Sequence, residues 1–315
     1  MLKRIGLRKI GVTSLAFIII GIIYFFPSFL NTTKIESSVI YKEDEKLTNV
    51  YLLDKYNYIT SVSVNIDKES NEEIIREKIE YLIKNGKKND NVPNGFSGII
   101  PINTVLKNVS ISKNSVTLDF SKELNNVLKK DAEKMIEAIV YTSTSLEEIT
   151  SVYLSVEGKD LLKIPNTNKT LDKPLTRDFG INKLYDISNL TNLNSTTVYY
   201  CNQKSSSIYY TPVTLINNDD REKISVIIDE LKSSVVYQAN LESYLNASAE
   251  LKNYEIINDI MYLTFNDKIF DTTHNNQILE EVKYTISMSV KDNYDVSSVV
   301  FKVGEKEVAK SELKE

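Results

Sequence analysis

Segments of this chain recur at one constant spacing, which constrains the fold more than any other sequence feature. Three segments recur 145 residues later: Leu106-Lys107-Asn108 as Leu251-Lys252-Asn253, the alternating Val116, Leu118 and Phe120 as Met261, Leu263 and Phe265, and Arg76-Glu77-Lys78-Ile79 as Arg221-Glu222-Lys223-Ile224. Agreement of three segments on one spacing indicates a tandem duplication. We therefore expect two copies of one small unit, and 315 residues suffice for two domains with their connections.

The N-terminal segment has the pattern of a membrane anchor. Four basic residues come first: Lys3, Arg4, Arg8 and Lys9. The run from Ile10 to Leu30 that follows carries no charge, and crossing a bilayer takes about 20 apolar residues, with the basic side facing the cytosol. We therefore expect a cytoplasmic tail over 1–9, a single transmembrane helix over 10–30 in the cell membrane, and a stalk over 31–46, with the domains extracytoplasmic.

Two other uses of this segment compete with the anchor. A cleaved signal peptide ends in small residues of the A-x-A type, which Phe26-Pro27-Ser28-Phe29-Leu30 does not offer. A lipoprotein needs a cysteine just after the apolar run, but the one cysteine is Cys201. A lone cysteine excludes an intramolecular disulfide, and its apolar neighbours favour a buried thiol over an intermolecular disulfide.

The rest of the chain divides into two domains and a connection. We predict a first domain over 47–165, a linker over 166–195 and a diverged second domain over 196–312. In each domain β-branched strands come first, followed by an amphipathic helix, a loop, a hairpin, a second helix and a last strand. Helices and strands with one apolar face each predict the α/β (α+β) class, as tandem two-layer sandwiches of mixed sheet plus two helices.

Apolar spacing places the individual elements. In the first domain the two helices carry their apolar faces at Ile75, Ile79, Leu82 and Ile83, and at Ala132, Met135, Ile136, Ile139 and Val140. In the second domain they do so at Ile224, Ile227, Ile228 and Leu231, and at Ile278, Leu279, Val282 and Ile286. Ser70 and Glu73 form a capping box before the first helix. On the hairpins we predict Phe120 and Phe265 in the core, with Tyr254 and Ile256 also facing inward.

Three segments of the first domain resemble a known family. They are Gly98 to Leu106, Val116-Thr117-Leu118-Asp119-Phe120-Ser121, and Val152-Tyr153-Leu154-Ser155-Val156-Glu157-Gly158. Together they resemble the GerMN domain of sporulation and spore-germination proteins. Asn103 stands where that family has a glycine, and the second copy keeps only Leu263-Thr264-Phe265 of the central segment.

The resemblance implies a cellular role. The family often occurs in tandem, exported and membrane-anchored. Its best-known members resemble the ring-building modules of secretion systems and act during spore formation, at the mother-cell/forespore interface. It implies a membrane-anchored structural or assembly protein of sporulation or spore germination. The implied partners are other envelope or sporulation proteins, with self-association into rings. The net charge of −5 gives no nucleic-acid footprint.

The sequence offers little for catalysis. Its one histidine is His274, and no C-x-x-C, H-E-x-x-H, G-x-S-x-G or Walker-type segment occurs. Asp119 and Glu123 could form a glycosidase-like pair, but aspartate at this place is ordinarily a turn or cap residue, and the second copy has Thr264 instead. We expect no enzyme and no catalytic, metal or cofactor site. The alternative is a cell-wall-active enzyme or an extracytoplasmic ligand-binding protein that uses a carboxylate site in the Pro93–Thr104 loop region.

Two surface features remain as interaction candidates. Tyrosines are plentiful in the second repeat, among them Tyr199, Tyr200, Tyr209, Tyr210 and Tyr237. They suit either strand packing, which we favour, or an interface, where tyrosine is enriched. Lys78 and Lys223 are expected on exposed helix faces, where charge reversal would disturb assembly.

Overall fold

The computed structural model describes residues 47–204, 207–233, 240–271 and 277–313. The predicted tail, transmembrane helix and stalk lie outside these residues, as do Tyr237 and His274. Within the described ranges, no helix is long and apolar enough to cross a membrane.

The first repeat follows the predicted order of elements. A hairpin of β1 (Leu47–Asp54) and β2 (Ile59–Asn65) leads into helix α1 (Asn71–Tyr81) and the short strand β3 (Phe96–Ser97). A second hairpin of β4 (Leu106–Ser112) and β5 (Ser115–Phe120) leads into helix α2 (Ala132–Ser143), followed by β6 (Ser151–Val156) and β7 (Lys159–Asp160).

The second repeat has the same order after one extra strand. The short strand β8 (Leu184–Asp186) precedes the hairpin of β9 (Asn194–Lys204) and β10 (Ser207–Asn217), which leads into helix α3 (Lys223–Lys232). The inner hairpin of β11 (Leu251–Ile257) and β12 (Ile260–Phe265) is followed by helix α4 (Glu280–Asn293), β13 (Ser298–Val303) and β14 (Lys306–Glu312).

The four-stranded sheets of the two repeats have matching topology. Their orders are β4-β5-β6-β7 and β11-β12-β13-β14. The outer hairpins, β1–β2 and β9–β10, belong to two three-stranded sheets of order β2-β1-β3 and β8-β10-β9, and the inner hairpins are β4–β5 and β11–β12. In each four-stranded sheet the central pair is parallel and the flanking pairs are antiparallel. The predicted fold class, tandem two-layer sandwiches of mixed sheet plus two helices, is confirmed.

The spacing of 145 residues holds strand for strand in the two inner hairpins. Both hairpins carry a β-bulge at the repeated Leu-Lys-Asn segment, where the register slips between Leu106 and Asn108 and between Leu251 and Asn253. Phe120 and Phe265 end their strands and are buried, as predicted. The repeated tripeptide therefore accompanies a repeated irregularity of the backbone, which increases local twist.

The recurrence of Arg-Glu-Lys-Ile is a coincidence, and its use as part of the duplication was wrong. Arg76 lies in the middle of α1, whereas Arg221 precedes α3, which begins at Lys223. The spacing slips because the connection between helix and hairpin is shorter in the second repeat. The two helices correspond through other buried residues: Ile75 with Ile227, and Ile79 with Leu231.

Helix α1 begins at the predicted cap but buries a residue predicted to be exposed. The hydroxyl of Ser70 accepts a hydrogen bond from the N–H of Glu73 at 3.3 Å. Lys78, predicted on an exposed face, is 0% exposed, and its ammonium donates to the hydroxyl of Thr48 at 2.7 Å. The prediction failed because the aliphatic stem of lysine can lie in a core when its charged end reaches a polar partner. Lys223 is half-buried.

The predicted inward face of β11 is also only partly correct. Tyr254 is half-buried, and Ile256 is 47% exposed. β11 is the edge strand of its sheet, so alternation alone does not guarantee that its apolar side chains meet a covering layer.

The segment predicted to be a linker, 166–195, is folded against both repeats. Leu171, Leu175 and Ile181 are buried in the core of the first repeat. Leu184–Asp186 pairs in parallel with β10 of the second repeat. The segment therefore connects the two repeats and contributes to both.

Candidate functional site

The two repeats meet through their outer hairpins, which occupy equivalent places. The N–H of Tyr51 in β1 donates to the hydroxyl of Thr142 in α2, at 2.9 Å. The N–H of Tyr199 in β9 likewise donates to the hydroxyl of Ser289 in α4, at 2.9 Å. In both repeats a side-chain hydroxyl of a helix thus accepts from a backbone N–H of the outer hairpin. Without the hydroxyl, that N–H would lack a partner.

Equivalent residues face one another across this junction. The contacts are Tyr51 hydroxyl with Tyr199 hydroxyl at 3.4 Å, Asn202 amide to Asp54 carboxylate at 3.4 Å, and Thr211 hydroxyl to Thr60 hydroxyl at 3.3 Å. The register within each hairpin makes these residues counterparts, since Thr60 pairs with Leu52 and Thr211 with Tyr200. Contact between counterparts is the mark of an isologous interface. The repeats are therefore joined like the halves of a two-fold dimer.

Arg177, from the connecting segment, lies at the centre of the junction. Its guanidinium donates through Nε to the hydroxyl of Thr144 at 3.1 Å and forms an ion pair with the carboxylate of Asp292. The same carboxylate accepts from the hydroxyl of Tyr199 at 3.0 Å. The guanidinium also lies 4.7 Å from the ring centre of Tyr141. Burial, together with the charge of Asp292, raises the pKa of Tyr199 and Tyr141, so both hydroxyls stay protonated.

Asn182 fastens the junction through its backbone and side chain. Its side chain forms two bonds with the backbone of Ile59, accepting at 2.8 Å and donating at 2.6 Å, and donates to the carbonyl of Pro212 at 2.8 Å. Its N–H donates to the carboxylate of Glu137 at 2.9 Å. Burial raises the pKa of Glu137. One asparagine therefore ties strands of both repeats together.

A cleft of about 870 Å³ opens where the repeats meet. Buried apolar residues of both repeats line it, including Ile66, Ile149 and Val296, and the Arg177–Asp292 pair lies against it. Four exposed acids and one exposed lysine stand around it: Glu147, Glu148, Asp178 and Asp295, with Lys291. The cleft combines an apolar lining with an acidic rim, which suits a basic segment that also carries apolar side chains.

A second hollow of about 300 Å³ lies beside Asn182 and is occupied by ion pairs. Lys183 contacts Glu133 at 2.9 Å and Glu137 at 3.7 Å. Burial lowers the pKa of Lys134, which lines the same hollow. Its ion pairs thus join the connecting segment to α2 of the first repeat.

Comparisons with known proteins agree with this architecture. The family described as "Germane: Sporulation and spore germination" matches residues 49–162 and 197–309. The chain belongs to this family. It is 31% identical, over 89% of its length and 78% of the relative's, to the spore germination protein GerM of Bacillus subtilis. The solved tandem GerMN domains of the sporulation protein GerM from Bacillus subtilis superpose with a TM-score of 0.76 at 28% identity, covering 83% of this chain and 92% of that one.

The predicted resemblance to tandem GerMN domains is therefore confirmed. The two family matches correspond to the two repeats, each with its outer hairpin and four-stranded sheet. Asn103, which replaces the family glycine, has a φ of 66°. Asparagine tolerates this left-handed conformation better than most residues, so the loop keeps the backbone that glycine would allow.

The acid of the family's central segment has a structural role here. Asp119 accepts hydrogen bonds from the hydroxyl of Ser155 at 2.7 Å and from the N–H of Gly158 at 2.8 Å. It therefore holds the turn between β6 and β7, rather than capping the helix that follows its own strand. Glu123 lies in the short 3₁₀ turn Lys122–Asn126, and the hydrogen bond with Ser121 lowers its pKa.

The Pro93–Thr104 loop, the proposed place of a carboxylate site, contains no Asp or Glu. Gly98 is required there, because a Cβ at this position would lie 2.4 Å from the carbonyl oxygen of Leu82. The loop therefore packs its backbone tightly against the end of α1. Within the described ranges, no cluster of three or more His, Cys, Asp or Glu side chains is placed to hold a metal ion.

The tyrosines of the second repeat serve mainly in packing. Tyr199 and Tyr200 are buried, as the packing interpretation predicts. Tyr209 donates to the carboxylate of Asp54 at 3.0 Å, and Tyr210 stacks on Tyr284 with ring centres 3.9 Å apart. Cys201 is buried, as predicted, and burial raises the pKa of its thiol to about 12. The junction residues Arg177 and Asn182 were missed because they lie in a segment without periodicity.

Proposed function

We propose that this chain is a membrane-anchored assembly protein of the mother-cell/forespore envelope, which docks other envelope proteins on a rigid pair of repeats. Membership of a sporulation and spore-germination family supports the setting. The observation that carries the proposal is the junction: an ion pair between half-buried Arg177 and the buried carboxylate of Asp292, with shared hydrogen bonds, fixes the two repeats against each other. A rigid pair presents its surfaces in one geometry, which lowers the entropic cost of docking.

The docking surface we propose is the cleft between the repeats, and its occupant is a basic segment of a partner protein. The exposed acids at the cleft rim give the charge complementarity. The Arg177–Asp292 pair in its wall is already satisfied by protein groups, so the rim acids remain to attract a cation.

We also propose that the chain does not turn over a substrate. Acid–base catalysis needs a poised group facing a reacting atom. Asp119 is instead bonded to Ser155 and to the backbone of Gly158. Purified protein that cleaves peptidoglycan, with the activity lost in Asp119→Asn, would replace the assembly proposal by the cell-wall enzyme.

Charge reversal at the cleft rim tests the docking proposal. Glu147→Lys combined with Asp295→Lys should reduce spore yield and abolish crosslinking to the partner in sporulating cells. Glu280→Lys is the matched control, because Glu280 is highly exposed and does not line the cleft. Normal spore yield with both rim acids reversed would rule out the cleft as the docking surface.

The proposed anchor, Ile10 to Leu30, has its own test. Protease added to intact protoplasts should digest the domains and leave a short membrane-protected fragment. Self-association into rings stays part of the proposal, although the contact between the repeats is of the isologous kind, which closes on itself. A ring would therefore use another surface.

A further inference from the structure

The outer edges of the two inner hairpins differ, although the hairpins are equivalent. In the first repeat α1 packs along β4, and Arg76 donates to the carbonyl of Leu106 at 2.7 Å. In the described part of the second repeat no helix runs along β11 to a comparable extent, and Glu222, just before α3, reaches the strand only through the side chain of Tyr254. The edge of β11 is therefore the more accessible of the two.

The side chains near the tip of β11 are apolar and exposed. Ile256 is 47% exposed and Ile257 is 48% exposed. Their counterparts in the first repeat are Ile111, which is half-buried, and Ser112, which is polar. The second repeat thus carries an apolar pair where the first has none, on an edge strand that would ordinarily be protected from pairing.

The backbone of β11 also offers hydrogen-bonding groups. Ile257 pairs with Ile260 around a two-residue turn, so Glu255 and Ile257 direct their backbone groups toward β12. Successive residues of an antiparallel strand direct their backbone groups to opposite sides. The N–H and C=O groups of Tyr254 and Ile256 therefore point away from β12. Within the described residues these outward groups have no backbone partner. They are available to another strand.

We propose that β11 pairs antiparallel with β11 of a second copy of this chain. The strand complements itself when Tyr254 faces Tyr254 of the other copy: Leu251 then faces Ile257, and Asn253 faces Glu255. The register centred on Glu255 is excluded because two carboxylates would oppose each other. The Tyr254 register joins two four-stranded sheets into one and closes as a two-fold dimer.

This pairing deepens the proposed function, on which it rests, by naming one partner. It uses a mode in which main-chain bonds supply affinity and alternate side chains supply specificity. The cleft is not part of it, since none of its lining residues belongs to β11. Dimerisation and docking can therefore be tested separately.

The test is the oligomeric state of the full chain in detergent, measured by analytical ultracentrifugation. We expect a dimer whose dissociation constant rises at least tenfold in Ile257→Lys. Ser112→Lys, the same change at the equivalent place in the first repeat, should leave the dimer intact. A monomer at all concentrations, or equal effects of the two variants, would overturn the pairing.

Cysteine crosslinking fixes the register independently of stability. Asn253 and Glu255 face each other across the proposed two-fold as a non-hydrogen-bonded pair, whose Cα separation of about 4.5 Å allows a disulfide. The double variant Asn253→Cys, Glu255→Cys should therefore form a covalent dimer under mild oxidation. Asn108→Cys, Ser110→Cys is the matched control and should not. Absence of the covalent dimer, with spore yield still sensitive to the cleft variants, would overturn the pairing and leave the proposed function standing.

Discussion

The first repeat covers the edge of its inner hairpin with helix α1, whereas in the described residues of the second repeat no helix covers the equivalent edge, where Ile256 and Ile257 are exposed. Both repeats nevertheless keep the same bulge and a buried phenylalanine at the end of the second strand of the inner hairpin, β5 or β12. A core residue is held in place by many neighbours at once, so it resists change after duplication. An edge residue has few neighbours and is free to acquire a new contact.

The same contrast holds at the junction. Thr144 follows α2 and Asp292 lies near the end of α4, and Arg177 bridges the two. One side offers a hydroxyl and the other a carboxylate, so the isologous contact is symmetric in geometry and asymmetric in charge. Because the two halves present different groups, the single guanidinium of Arg177 can donate to a hydroxyl on one side and form an ion pair on the other.

The largest effects on stability should come from core residues that the two repeats share. Phe120→Ala and Phe265→Ala should each lower the free energy of unfolding by about 3–5 kcal/mol, because each leaves a cavity in a packed core. Urea unfolding followed by circular dichroism measures both. Since the repeats form one compact unit, each variant should shift a single transition. Loss of stability in only one of them would contradict the equivalence of the hairpins.

The junction should be the next most sensitive place. Asp292→Ala should cost about 3 kcal/mol, because it leaves the Arg177 guanidinium without its anionic partner. Thr144→Ala, at the other end of the same bridge, should cost only about 1 kcal/mol, since it removes one hydrogen bond. Equal losses in the two variants would show that the asymmetry of charge does not matter.

Much of this fold follows from periodicity. The alternation of apolar residues that ends at Phe120 indicates one buried strand face. Met135, Ile136 and Ile139, which follow Ala132 by 3, 4 and 7 residues, indicate one buried helix face. The elements and their order are therefore predictable. The bulge at the Leu-Lys-Asn segments has no such signal, because a single inserted residue leaves the composition of a strand unchanged.

Contacts between the repeats lie beyond sequence patterns. Lys78 has the composition of a surface residue, yet its neighbour Thr48 on β1 makes burial acceptable. Arg177 and Asn182 act through partners at least 30 residues away. Their partners come together only when both sheets are assembled, so local spacing carries no trace of them. Asp119, in contrast, was expected to be a turn or cap residue, and its bonds to Ser155 and to the N–H of Gly158 place it at a turn.

A smaller effect should come from exchanging that acid for its counterpart. Asp119→Thr should cost about 1–2 kcal/mol, because the N–H of Gly158 and the hydroxyl of Ser155 lose a charged acceptor. Asp119→Asn should cost less, since an amide oxygen can accept both bonds. Thermal unfolding of the two variants separates these cases. Equal losses in the two variants would show that the charge itself, and not an acceptor oxygen, is needed.

The smallest effect on stability should come from the N-terminal caps, which differ between helices α1 and α3. Ser70 caps α1 through its side chain, whereas Glu222, at the same position before α3, makes no side-chain cap bond. Ser70→Ala should therefore cost about 1 kcal/mol, and Glu222→Ala should leave stability nearly unchanged. Glu222→Ser should instead gain a few tenths of a kcal/mol, since the backbone of Glu222, at φ −55° and ψ 132°, is already non-helical, as a cap requires. If Glu222→Ala proves as costly as Ser70→Ala, then the second helix depends on Glu222 through a contact other than capping, and the two repeats begin their helices by different means.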